Sequence, residues 1–374
     1  VWRLPARSSE VPVHPPGTAD KDANCLGARL DRAIDEFLRG RPGLECAPEL
    51  ADELRAVATG PGKRLRATFA WYGWHAAGGP LDGPDADAMV RALVGVELLH
   101  CCALVHDDVM DRSRTRRGRS TCHVGFARRH GAAGWSGDPG RFGDAAAILV
   151  GDLALAWADD ALVEAGFDAV RLRRGWRPWR AMRTEMTAGQ FLDVVAGARR
   201  EESVAAALRV ALLKTATYTV ERPLHLGAAL ADAPPDLIRL LRGFGQHVGL
   251  AYQLRDDLLG LYGDPRVTGK PVGDDIREGK RTLLMVLAVE RAERTGRPDV
   301  ASLLRSTFGN ADVTHELLVR VKAGLHEVGA VRAVEQRVAA LTARGLRILR
   351  RAAMPEAARA ELARLAIQAA ERHR

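Results

Sequence analysis

Two strongly apolar stretches that each run into a cluster of aspartates constrain this chain more than any other feature. Residues 94–105 read VGVELLHCCALV and lead into Asp107-Asp108-Val109-Met110-Asp111; residues 248–254 read VGLAYQL and lead into Asp256-Asp257. Apolar positions recur at i, i+3, i+4 and i+7 from Asn24 onward, and no segment sustains period-two alternation. Ala, Leu and Arg dominate and aromatic residues make up only 5%, a balance that favours helices over sheets. The expectation is an all-α chain, with a mobile Pro- and charge-rich tail over residues 1–22 and one all-α domain over residues 23–374. Helices are expected at about 26–39, 48–57, 63–77, 86–111, 144–165, 168–195, 204–227 and 235–261. Five more are expected at about 280–293, 300–307, 312–328, 331–352 and 356–372. Residues 112–143 and 262–280, rich in Gly, Arg and Pro, read as loops. Each follows an acidic cluster, and long loops within a compact domain are usually functional.

Several function classes drop out. No apolar run reaches the ~20 residues of a membrane span, and no charged segment followed by an apolar one marks a secretory signal. A soluble, cytoplasmic protein is expected. Cys25, Cys46, Cys101, Cys102 and Cys122 show no zinc or CxxC spacing. The net charge of +8 is spread over many helices, with no basic run interleaved with aromatics, so no nucleic-acid partner is expected.

A buried carboxylate is expensive unless paired or bound to metal. Asp107 and Asp111 stand at i and i+4, on one helix face about one turn apart, and can share a cation. Oxygen donors suit Mg²⁺, which keeps several waters and binds phosphate together with protein. Asp108 points elsewhere around the helix. Asp256 and Asp257 repeat the arrangement with Gln253 one turn earlier, but Gly260 stands where a carboxylate would complete the i, i+4 pair. Together the clusters imply a Mg²⁺ site at the mouth of an apolar cavity, suited to a substrate with a diphosphate head and a hydrocarbon tail.

The cations point the same way. Of 55 basic residues only six are lysine: Lys21, Lys63, Lys214, Lys270, Lys280 and Lys322. Lysine is a compact point charge that suits phosphate oxygens. Lys63 and Arg66 follow a glycine turn in GPGKRLR and make a diphosphate clamp. Arg116 and Arg117 follow the first acidic cluster and offer a second. His100 lies two turns before Asp107 on its helix face; Lys214-Thr215, Gln190 and Asp193 add further polar helix faces.

The strings GPGKRLR, ELLHCCALVHDDVMDRSRTRRG, MTAGQFLD, KTATY and QLRDDLLGLYGDPRVTGKPVGDDIREGK, in this order and spacing, resemble those of the trans-isoprenyl diphosphate synthases (polyprenyl synthetases), bacterial geranylgeranyl diphosphate synthases among them. The resemblance runs from about Gly60 to Thr282. It implies an isoprenoid-synthase-type helical bundle around a central apolar cavity, a homodimer, and three Mg²⁺ ions. It implies that Asp107 and Asp111 ligate Mg²⁺ on an allylic diphosphate, with Asp108 and Asp193 assisting, and that Arg116 touches that diphosphate. It assigns isopentenyl diphosphate to Lys63, Arg66, His100 and Arg117. It gives Asp256 the remaining Mg²⁺ with Asp257 in support. Lys214, Lys270 and Lys280 would neutralise the allylic diphosphate, and Thr215 and Gln253 would lie near the reacting carbons. Gly260 replaces the last aspartate of the second motif.

Product length is expected to depend on what blocks the cavity below Asp107. Cys102 and Ala103, one turn back, are small; Leu98 and Leu99 are the next floor candidates. A turn is about 5.4 Å, close to one isoprene unit, so the expectation is geranylgeranyl diphosphate (C20), with a farnesyl or longer (C25 and above) polyprenyl product as the alternative. A class I terpene cyclase would carry an Asn/Ser/Glu-type second metal motif and an aromatic-lined pocket. A non-catalytic regulatory subunit would not need intact Asp107, Asp111, Lys63, Arg66 and Asp256.

Overall fold

A helix that is apolar on every side must be surrounded by protein, and in the computed structural model Pro84–Met110 (α4) is. The structure describes residues 19–41, 46–116, 118–264 and 272–371, with side chains described from Leu26 onward. Buried positions run along α4 from Ala86 to Asp108. Among the described residues α4 is also the one helix long and apolar enough to cross a membrane by length and composition, but 78% of its apolar window is buried inside the protein, as in the core helix of a globular fold.

Ahead of α4 lie α1 (Ala19–Arg39), α2 (Pro48–Ala58) and α3 (Leu65–Ala76). Helix α1 starts at Ala19, inside the stretch read as tail; residues 1–18 lie outside the described residues. After α4 the expected loop 112–143 is largely structured. It holds a small antiparallel hairpin, β1 (Thr115–Arg116) and β2 (Arg119–Ser120), with Thr115 opposite Ser120. It also holds α5 (Cys122–Ala132), which buries Cys122, Phe126 and His130 at i, i+4 and i+8. Helix α6 (Pro139–Val163) begins earlier than expected because Asp138 caps it, its side chain accepting from Arg141 N at 2.7 Å. Helix α7 (Ala169–Ala198) follows.

The segment read as one helix over 204–227 is three pieces: α8 (Val204–Val210), a π-helical segment (Ala211–Glu221) and α9 (Arg222–Leu230). Then come α10 (Pro235–Tyr262), α11 (Asp274–Arg277), α12 (Leu283–Arg294), α13 (Pro298–Thr307), α14 (His315–Glu327), α15 (Ala330–Arg351) and α16 (Glu356–Ala370). Two apolar clusters form the core. Helix α10 joins them, giving Leu241, Phe244 and Val248 to one and Ala251, Leu254 and Leu258 to the other. The all-α expectation therefore holds, with α4, α7, the π segment and α10 converging at one end.

Candidate active site

That convergence opens a cavity of about 1260 Å³. Its wall carries Lys63, Arg66, His100, Asp107, Arg116 and Asp193, and also Lys214, Thr215, Gln253, Asp256, Asp257 and Lys280, so residues spread over more than two hundred positions meet in one place. Arg117 and Lys270 lie outside the described residues.

Asp107 is the hub. Its Oδ1 accepts from Lys214 Nζ at 2.9 Å and Gln190 Nε2 at 3.0 Å, and its Oδ2 from Arg116 Nη2 at 3.2 Å. Burial alone would raise this carboxyl; Lys214, Lys280 and Arg116 outweigh it and hold Asp107 well below the usual carboxylate range. Lys214 also donates to Asp193 Oδ2 at 2.6 Å. Burial would lower the Lys214 ammonium, and Asp107 and Asp193 reverse that and raise it, so it stays charged. Asp108 is buried away from the cavity and accepts from Arg116 Nε at 2.7 Å, which fixes that arginine beside Asp107. Hairpin β1–β2 is what brings Arg116 back to the helix end.

Asp111 Oδ2 is buried and ion-paired with Lys280 Nζ at 2.7 Å. Burial, with Asp107 close by, pushes its carboxyl up to about 6 against the pull of Lys280. On α10, Asp256 is exposed to the cavity while Asp257 is buried and accepts from Gln253 Nε2 at 2.6 Å. Burial and the neighbouring Asp275 hold Asp257 well above the ordinary carboxylate value. Asp275 was missed by the sequence reading. A Cβ at Gly260 would lie 2.8 Å from Asp275 Oδ2, so a carboxylate from α11 fills the space that Gly260 leaves open. The signal was present as a further aspartate pair in GDDIREGK.

At the other wall Arg66 Nη1 meets His100 Nε2 at 3.3 Å, His100 Nδ1 meets the Tyr218 hydroxyl at 3.1 Å, and the Arg66 guanidinium lies 4.4 Å over the Tyr218 ring. Arg66 Nε is buried without a partner, a donor suited to an anion. Of the residues expected to set product length, Ala103 lines the cavity together with Cys101 and Leu104. Cys102 and Leu99 do not. Cys102 Sγ instead lies 3.7 Å from His106 Nδ1, and His106 reaches Ile148 O on α6 at 3.1 Å; Leu99 is fully buried in the core. Helix rotation separates 102 from 103 by about 100°, and only packing shows which of the two faces inward.

The donor set suits a hard divalent cation. All its donors are carboxylate oxygens, and among the described residues no three donors close on one point. Mg²⁺ accepts such a site because it draws most of its shell from water and phosphate.

The sequence model of the polyprenyl synthetase family matches residues 47–321. A geranylgeranyl diphosphate synthase of Mycobacterium tuberculosis is 35% identical over 327 residues, 86% of this chain and 85% of its own. A (2E,6E)-farnesyl diphosphate synthase of the same species is 32% identical over 312 residues, covering 83% and 80%. Among solved structures, the geranylgeranyl pyrophosphate synthase of Corynebacterium glutamicum, complexed with isoprenyl diphosphate and magnesium, superposes with a TM-score of 0.88 at 40% identity, over 95% of this chain and 99% of that one. Cavity, cation and carboxylate placement, family match and relatives agree: the chain belongs to the polyprenyl synthetase family of prenyltransferases.

Proposed function

We propose that this prenyltransferase condenses isopentenyl diphosphate head to tail with allylic diphosphates and releases mainly geranylgeranyl diphosphate (C20), using three Mg²⁺ ions and acting as a homodimer. The observation that carries the reading is the division of the cavity. One wall is cationic and metal-free in character, with Lys63, Arg66 and His100. The rest of the lining carries Asp107, Asp256 and Asp275 with Lys214, Lys280 and Arg116, and Asp111, which does not itself line the cavity, is ion-paired with Lys280. Two anions can thus be held by different chemistry, and only the second needs metal.

The allylic C–O bond breaks, the double bond of isopentenyl diphosphate supplies the electron pair of the new C–C bond, and a proton leaves to the departing diphosphate. Bound divalent metal neutralises charge developing on that diphosphate. Lys214 and Lys280 hold fixed positive charge at the same place, and preorganised charge needs no rearrangement as the bond breaks. Thr215 and Gln253 line the wall, and in this reading their dipoles face the reacting carbons. Asp275 takes the part of the carboxylate that Gly260 does not supply. Small side chains at Cys101 and Ala103 leave room for a tail beyond C15, and the relative with 40% identity is a geranylgeranyl pyrophosphate synthase.

The test is a product assay. The purified chain is incubated with Mg²⁺, labelled isopentenyl diphosphate and the C5, C10 or C15 allylic diphosphate, and the dephosphorylated alcohols are sized. A C20 alcohol is expected. A dominant C15 or C25 alcohol would overturn the length assignment, and no elongation by the folded protein would overturn the reaction.

A further inference from the structure

The loop that carries Lys63 is held in an unusual way. Arg64 is the N-cap of α3 and has a left-handed backbone, φ 47° and ψ 34°. That region is unfavourable for a residue with a Cβ and is routinely given to glycine, yet the chain uses glycine at 60 and 62 and arginine at 64. The Arg64 side chain explains the choice. Its guanidinium pairs with Glu97 Oε2 on α4 at 2.9 Å, with Asp31 Oδ1 on α1 at 3.0 Å, and with the Ala58 carbonyl at the end of α2 at 2.8 Å. Glu97 is 3% exposed. A buried ion pair often adds little stability over an apolar pair of the same size, so stability alone does not account for one at a cavity wall.

We propose that Arg64 and Glu97 are positioning residues for the isopentenyl diphosphate site. The proposal rests on the function given above. Glu97 and His100 lie one turn apart on α4. Glu97 fixes Arg64, and His100 meets Arg66. One helical turn therefore grips the segment 60–66 at two points, at the bend and two residues past it, and sets where Lys63 and Arg66 stand. Neither Arg64 nor Glu97 is assigned contact with the substrate; they act through the two residues that are.

Two variants test this. Arg64→Gly keeps the backbone conformation and removes the guanidinium; Glu97→Gln keeps the shape and removes the charge. Each should raise KM for isopentenyl diphosphate about tenfold while KM for the allylic diphosphate and kcat stay within about twofold. Calorimetric titration with isopentenyl diphosphate should show the same weakening. The double variant should be no worse than the worse single, because both act through one contact. A purely structural role would lower the melting temperature and leave the two KM values in their original ratio, and that result would overturn the proposal. If Arg64→Gly does not fold, Glu97→Gln decides alone by the same split. Failure of the wild-type chain to elongate any primer would instead overturn the underlying function, which the control detects separately.

Discussion

At position 260 a glycine leaves room that a carboxylate from another element occupies. Gly260 leaves the second acidic cluster short of a carboxylate, and Asp275 Oδ2 stands against the open space. If Asp275 serves the metal there, Asp275→Asn should raise the Mg²⁺ concentration needed for half-maximal activity by about 10- to 100-fold, the usual range for a residue that supports a metal site. A Mg²⁺ titration checks this, and an unchanged midpoint would remove Asp275 from the site. Gly260→Asp alone should not help, because it would set a second carboxylate against that of Asp275, whose Oδ2 lies 2.8 Å from where the new Cβ would stand. His225 gives a second residue-scale expectation. Burial first, then Arg222, Arg242 and Arg177, lower its imidazole from 6.5 to about 4. The unfolded chain takes up that proton near 6.5, so the stability is complete above this pH and is lost as pH falls toward about 4. The full effect is on the order of 3 kcal/mol. Melting curves across this range should therefore flatten in His225→Gln, and identical pH slopes in the two proteins would count against it.

At the scale of elements, the π segment is what aims Lys214 and Thr215. A π turn adds a residue to the ladder and recurs at functional sites. Here it packs closely on both sides. A Cβ at Gly189 on α7 would lie 2.3 Å from Lys214 N, and one at Gly249 on α10 would lie 2.5 Å from Ala216 O. Both obstacles are backbone, so neither can rotate away. Gly189→Ala and Gly249→Ala should each cost about 1–3 kcal/mol through overpacking. Gly189→Ala should also lower kcat, since it displaces the residue that holds Asp107; unaltered melting and kcat would contradict the packing argument. The sequence pattern could not reveal this segment. Its apolar rhythm continues across the extra residue. The two Asp clusters and the GPGKRLR clamp were legible because they are runs of charge beside apolar helices, and Lys214 because lysine is rare in this chain. Helix α5 was legible in principle from Cys122, Phe126 and His130, but the surrounding glycines and arginines obscured it. The roles of Asp275 and Arg64 come from contacts between distant elements, which no local pattern encodes. The same limit separated Cys102 from Ala103: both are small, and only the packing of α4 on α6 turns Ala103 to the cavity. Ala103→Phe should therefore shorten the main product from C20 to C15, read as a change in alcohol length, and an unaltered product would place the floor elsewhere.

At the scale of the whole molecule, α6 presents an apolar stripe outward. Ala145, Leu149, Ala156 and Val163 recur at helical spacing with Ile148 alongside, all exposed, and Leu149 is 58% exposed. Val170, at the start of α7, is 53% exposed. This stripe lies on the helix whose other face packs against α4, the helix carrying Asp107 and Asp111. Exposed Asp152 interrupts the stripe between Leu149 and Ala156, but exposed apolar side chains grouped on one helix face mark an interaction surface, and a twofold contact would bury them against their own copy. Each large apolar side chain buried there is worth about 1.5–3 kcal/mol, and symmetry counts every substitution twice. Leu149→Glu would place two charges in the contact, so it should shift the chain from dimer to monomer in sedimentation at micromolar concentration. Because α6 also supports α4, the monomer should melt at a lower temperature and lose turnover with the dimer. A Leu149→Glu chain that sediments as the wild type does would show that this face is not where two copies meet.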